Sequence, residues 1–135
     1  MARAVAFAVD GLRSGRDVIV HTPAEPEAQA EARERGRDLG IDAMEVGLTI
    51  ARGQAEIAAR VIDQTGLNRL IVAGGDTSSA VCYRLGLDRH WVLEEVQTGV
   101  PLSLSEGPRT ILTVLKSGNF GTEDFFQWAL TRIRK

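Results

Sequence analysis

The sequence predicts an α/β fold: a three-layer domain whose mostly parallel sheet is flanked by helices, with an antiparallel hairpin near residues 90–104. Three observations carry this. Helical and strand-like segments alternate along the chain, the pattern of layered α/β domains. Two short apolar runs, at 69–73 and 110–115, each pass through a glycine-bearing polar loop into a helix. The chain has 135 residues, 44% hydrophobic and 25% charged, which is one domain's worth of ordinary globular composition. The whole chain, residues 1–135, is therefore read as a single domain.

Taken in order, residues 2–13 form an apolar helix that stops at the Ser14-Gly15 break. Asp17 to Thr22 (DVIVHT) reads as a buried strand. Pro23 and Pro26 mark a loop, and the Ala-, Glu- and Arg-rich stretch 27–39 is a polar surface helix ending at Gly40. Residues 47–65 make a stronger helix, with Ile50, Ile57, Ala58, Val61 and Ile62 on one face and Gly66 as its cap. Arg69 to Ala73 is a buried strand meeting the turn Gly74-Gly75, and Ala80 to Leu85 continues as helix to Gly86. Residues 90–97 and 100–104 are strands joined around Gly99. Thr110 to Leu115 is another buried strand, and Thr122 caps a last helix with Phe125, Phe126, Ala129, Leu130 and Ile133 on one face.

Composition narrows the function classes. Sixteen basic and 18 acidic residues give a net charge of −2, so no basic excess marks a nucleic-acid footprint. No apolar run approaches the roughly 20 residues of a membrane helix. The start lacks the marks of a signal peptide, so the cytoplasm is the expected compartment. The single cysteine, Cys82, excludes an internal disulfide and any multi-cysteine metal site. Arginine outnumbers lysine 14 to 2, which makes Lys116, the only internal lysine, a residue to watch for its compact ammonium.

Two loops could carry chemistry. In a parallel sheet both would lie at the carboxyl ends of their strands, where open α/β sheets bind ligands. In AGGDTSSA, Gly74 and Gly75 let the backbone approach an anion, and the helix start favours negative charge. Thr77 and Ser78 can donate, while Asp76 suits a magnesium ion or a helix cap. In LKSGNFGTED, Lys116, Ser117, Gly118, Asn119 and Gly121 offer a cation, polar groups and flexible backbone. Glu123 and Asp124 open the helix behind this second loop and oppose a phosphate there, which places phosphate at the first loop. A tight turn before a helix explains either loop equally well without a ligand. The patterns G-x-x-x-x-G-K-[ST], G-x-G-x-x-G and G-x-S-x-G are all absent. His21, His90, Cys82, the Glu94-Glu95 pair, Trp91 and Trp128 are expected to be structural, the two tryptophans as core.

Three linked motifs also occur in order and at matching spacing: VAGGDTS at 72–78, Gly99-Val100-Pro101, and LKSGNFG at 115–121 followed by Asp124-Phe125-Phe126. This resembles the C-terminal, nucleotide-binding domain of the four-carbon acid sugar kinases. Thr98 and Ser79 stand where that family commonly has a proline and a smaller residue. The resemblance implies an ATP-binding part, with Mg2+, of a kinase acting on the terminal hydroxyl of threonate- or erythronate-type acids. It implies nucleotide contacts at Gly74, Gly75, Asp76, Thr77 and Gly118, with Lys116, Asn119 and Gly121 behind them. No catalytic residue and no protein metal ligand set is implied on this chain.

The resemblance further implies that the sugar-acid domain is missing upstream or sits on another chain. The first strand and serine-containing loop of the nucleotide domain would be missing too, so the domain is expected to be incomplete at its N-terminus. The isolated chain is then expected to be inactive. An open sheet edge invites pairing, so a homo-oligomer or a docked partner is expected. The alternative is a stand-alone or degenerate nucleotide-binding or interaction module without catalytic activity. An unrelated flavodoxin-like phosphate binder is a third reading.

Overall fold

The computed structural model describes residues 1–118 and 120–134. Three helices come first: α1 (Ala2–Arg13), α2 (Pro26–Asp38) and α3 (Ala43–Thr65). Then follow β1 (Arg69–Ala73), α4 (Gly75–Leu85), β2 (Arg89–Gln97), β3 (Val100–Glu106), β4 (Thr110–Lys116) and α5 (Phe125–Ile133). The four strands form one sheet in the order β1-β4-β3-β2. β1 and β4 run parallel, with Ala73 opposite Lys116, while β3 is antiparallel to both β4 and β2.

Local chemistry explains most boundaries. Asp42 accepts a hydrogen bond from the Glu45 amide at 2.8 Å and so starts α3 four residues before the expected position. Gly66 ends it with φ +69°. α4 begins at Gly75, so Asp76 to Ser79 lie within the helix. α5 is capped at Asp124 instead of Thr122. The Thr122 hydroxyl donates to the Asp124 carboxylate instead, and its carbonyl accepts from the Phe125 amide at 3.0 Å.

Helices cover both faces of the sheet. α3 and α4 pack on one face through Ala55, Ala59, Ile62, Val81 and Leu85 against Val72 and Ile111. α5 packs on the other through Phe125, Ala129 and Ile133 against Val100, Leu102 and Val114. α1 lies outside α3, with Val5, Ala8 and Val9 on Val61. The buried stripe of α3 is Ala51, Ala55, Ala59, Val61 and Ile62, whereas Ile50 is exposed. Small side chains at i,i+4 let α4 approach closely, and that approach decides which face is buried.

Two expectations need correction. Residues 17–22 form no strand, and Ile19 is 60% exposed. The segment is separated from β1 by a cavity and has no ladder to join. The sheet is therefore mixed, with one parallel pair. Trp91 and Trp128 are exposed instead of core: Trp91 sits on edge strand β2, where its indole N–H donates to Glu106 Oε2 at 3.1 Å.

Candidate functional site

Both glycine loops and the β2–β3 turn gather at one end of the sheet, because parallel β1 and β4 end side by side and β3 starts where β4 ends. Gly74 is the hinge of the first loop. Its amide donates to the Lys116 carbonyl at 2.8 Å, and its φ of +114° is one that a side-chain-bearing residue rarely adopts. The Gly74 carbonyl then accepts from the Ser78 amide at 2.8 Å, closing the first turn of α4. Gly75 and Asp76 are exposed at this helix start. Thr77 is half-buried, and its hydroxyl donates to Gln54 Oε1 on α3 at 3.3 Å. The Ser78 hydroxyl is buried with no partner among the described residues.

The second loop abuts the first. A Cβ placed on Gly75 would lie 3.3 Å from Ser117 Oγ, so the two loops share one narrow cleft. Lys116 is half-buried; its ammonium donates to the Gly118 carbonyl at 2.8 Å and stands 5.8 Å from the Phe125 ring centre. Gly118 and Gly121 have φ of +53° and +91°. A Cβ on Gly121 would press on Gln97 and Lys116 at 3.0 and 3.2 Å. Asn119 lies outside the described residues.

The hairpin closes the cluster from the far side. Gln97 clamps Thr122 twice: its amide nitrogen donates to the Thr122 hydroxyl at 2.9 Å, and its Oε1 accepts from the Thr122 amide at 3.0 Å. Gly99, with φ +74°, leaves room for the Phe120 ring, whose edge is 3.0 Å from a Cβ built there. Its amide donates to Glu95 Oε1 at 2.7 Å. Glu95 thus holds a turn, and its neighbour Glu94 pairs with Arg132 at 3.8 Å.

The remaining candidates sort plainly. His90 Nδ1 lies 2.7 Å from the buried Ser105 hydroxyl, and His21 is exposed. Burial pushes the Cys82 thiol up, away from a nucleophile's range. Sequence reasoning missed Gln54 and Gln97, which are remote in the chain and show only when α3 and β2 are placed. It also missed the Glu56 bridge between α3 and α4. Arg84 at 2.6 Å and Arg60 at 2.7 Å hold that carboxyl below its ordinary value of 4.5. A lowered value in the folded state contributes stability above pH 4.5, lost as the pH falls through the lowered value. Glu56→Gln is therefore expected to unfold earlier than the parent at pH 7, with the gap closing on acidification. Thermal unfolding at successive pH values checks this; a gap independent of pH would mean that the bridge contributes nothing.

Residues 1–126 match the family model for the nucleotide-binding C-terminal domain. The chain belongs to the four-carbon acid sugar kinase family. A 3-oxo-tetronate kinase from Methylobacterium radiotolerans is 44% identical over 131 residues, covering 96% of this chain and 29% of that protein. A 3-oxo-isoapionate kinase from Paraburkholderia graminis is 33% identical, covering 92% of this chain and 28% of its own length. The chain thus spans under a third of these kinases. Among solved structures, a Haemophilus influenzae protein superposes with a TM-score of 0.74 at 27% identity, over 96% of this chain and 31% of that one. A Bordetella bronchiseptica protein, crystallised as a domain-swapped dimer with bound citrate, gives 0.65 at 28%, over 98% and 37%. As a nucleotide-binding domain of this family, the chain has its glycine loops on neighbouring strand ends. None of its described helices is long and apolar enough to cross a membrane.

Proposed function

We propose that this chain is the ATP-binding part of a kinase that phosphorylates the terminal hydroxyl of a four-carbon sugar acid of the threonate, erythronate or 3-oxo type. The observation that carries it is the shared cleft between the Gly74–Thr77 and Lys116–Gly118 loops, closed by the Gly99 turn. Phosphoryl transfer depends on positioning and charge neutralisation. The start of α4 would take the phosphates on its free amides, with Thr77 and the unpartnered Ser78 hydroxyl as donors. Lys116 would leave the Gly118 carbonyl for a phosphate oxygen, and Gly118 and Gly121 would let that loop fold over the nucleotide.

Asp76 is the one carboxylate in the first turn of α4, and no group of three or more His, Cys, Asp or Glu gathers among the described residues. That donor set fits Mg2+ carried by the phosphates and largely hydrated, not a protein cage. The acceptor's carboxylate and the base for its hydroxyl would belong to a sugar-acid-binding domain beyond this chain. Open sheet edges at β1 and β2 support association with that domain or with a second copy.

Calorimetric titration with Mg-ATP tests the reading. Saturable binding is expected, weakened about tenfold by Lys116→Met through loss of one charge-assisted contact. The chain alone is expected to give no turnover on any four-carbon acid. Absent binding would favour an interaction module without nucleotide chemistry; binding unmoved by Lys116→Met would remove Lys116 from the phosphate site.

A further inference from the structure

β2 closes the far side of the sheet, and no described strand pairs with its outer edge. Edge strands that stay single are commonly short or carry a charge in mid-strand. β2 is nine residues long, and in its middle Trp91, Val92 and Leu93 are 58%, 66% and 58% exposed in succession. Charge lies to either side: Arg89 and His90 before them, Glu94 and Glu95 after. The register with β3 assigns these residues to faces. Arg89, Trp91 and Glu94 stand opposite Glu106, Leu104 and Leu102, every second residue of β3, and so share the face that α5 covers. Arg89 and Glu94 would face opposite ways on a regular strand. Bulges often turn an edge away from partners; the one at Leu93 instead brings both charges to one face. Along that face β2 presents a cation, an indole and a carboxylate at even spacing.

We propose that β2 is a self-pairing edge: two copies of this chain join their β2 strands antiparallel across a two-fold axis at Trp91. A two-fold that pairs one edge with itself makes an antiparallel ladder, and its axis passes between a residue and its own copy. With Trp91 at the axis, and each bulged pair Val92-Leu93 filling one position, Arg89 faces Glu94 of the second copy, and the same pair recurs on the other side. Both charges are held at the long end of ion-pair distance within their own chain. Arg89 lies 3.7 Å from Glu106 and 4.0 Å from Asp88, and Glu94 lies 3.8 Å from Arg132. Across the axis four groups would alternate in sign: Arg132, Glu94, the second copy's Arg89 and its Glu106. The two Trp91 rings would meet as a cross-strand aromatic pair. An axis at Val92 would instead set Trp91 against Glu94 and Arg89 against Gln97. The ladder ends at Arg89 and Glu94, because beyond them Asp88 would face Glu95 of the other copy. β2 runs toward the Gly99 turn, so antiparallel pairing sends the two glycine-loop clefts to opposite ends of the joined sheet. The interface needs no nucleotide and stands whether or not the kinase reading does.

Sedimentation velocity of the whole chain from about 5 to 500 µM tests it, since so short a ladder makes a small interface, and small interfaces are weak. A reversible monomer–dimer equilibrium is expected. Trp128→Phe leaves Trp91 as the one tryptophan, and its emission is expected to shift to the blue as the concentration rises. Arg89→Glu and Glu94→Arg each set like charges opposite one another and are expected to raise the dissociation constant at least about tenfold. An equimolar mixture of the two variants restores opposite charges at both pairs and is expected to dimerise as the parent does. Should Glu94→Arg not fold beside Arg132, Trp91→Ser with a parental melt is expected to abolish the dimer. A chain that stays monomeric throughout would overturn the proposal. So would a dimer that leaves Trp91 emission unmoved, which would join through another surface. Charge variants that dimerise as well as the parent, or a mixture no more associated than its separate parts, would overturn it too.

Discussion

Saturating Mg-ATP is expected to raise the unfolding midpoint of this chain by about 10 °C, and Gly75→Leu is expected to erase the rise. A ligand at ~100 times its dissociation constant adds about 2.7 kcal/mol to the folded state, and for a domain of this size that corresponds to roughly 10 °C. Gly75 is the informative position because its backbone is ordinary helix and only its lack of a side chain is special. A side chain there would start 3.3 Å from Ser117 Oγ and grow into the cleft between the loops. The variant should therefore fold with a near-parental midpoint and fail only in its response to nucleotide. Gly74→Ala makes the contrast: φ at +114° strains any side-chain-bearing residue, so its midpoint should fall even without ligand. An undiminished rise in Gly75→Leu would remove phosphate from this cleft.

Gly107→Ala is expected to be the most damaging small substitution in the chain. Gly107 turns β3 toward β4 directly against the end of α4, and a Cβ there would lie 1.9 Å from the Gly86 carbonyl oxygen and 2.7 Å from its carbon. Those are backbone atoms, so no rotamer change relieves the clash. Either the turn or the α4 cap must move. The cap matters, because the Leu87 amide donates to the Cys82 carbonyl at 2.9 Å just after Gly86. Overpacking of this kind costs about 3 kcal/mol, or roughly 10 °C in the midpoint. Circular dichroism melts of Gly107→Ala beside Gly53→Ala make the check. Gly53, on α3, has nothing within 4 Å of a built Cβ, so its substitution should be neutral or slightly stabilising.

Much of this fold is legible in the residues. The runs 69–73 and 110–115 are continuous and β-branched, and both form doubly covered strands as such runs do. Gly66 and Gly86 end their helices at φ +69° and +66°, a conformation glycine adopts freely. The strand expected at 17–22 shows the limit of this reasoning. Its apolar run, Val18-Ile19-Val20, resembles that of β1, but a strand exists only with a neighbour to bond, and the nearest edge lies across a cavity. The tryptophans fail in the opposite sense. Bulk argues for burial, but Trp91 lies on edge strand β2, where its side chain is left exposed.

The sequence by itself determined the α/β class, the two glycine loops and their order. These follow from local periodicity and from backbone conformations only glycine adopts readily. The tertiary structure alone decided that the loops meet, since parallel pairing of β1 with β4 sets Ala73 beside Lys116 across 43 residues of chain. It also decided that Gln54 reaches Thr77 and Gln97 holds Thr122, and that β1 keeps one edge unpaired. Contacts of this kind have no local signature, because hydrogen bonds and packing act across space and leave the spacing of residues along the chain unmarked.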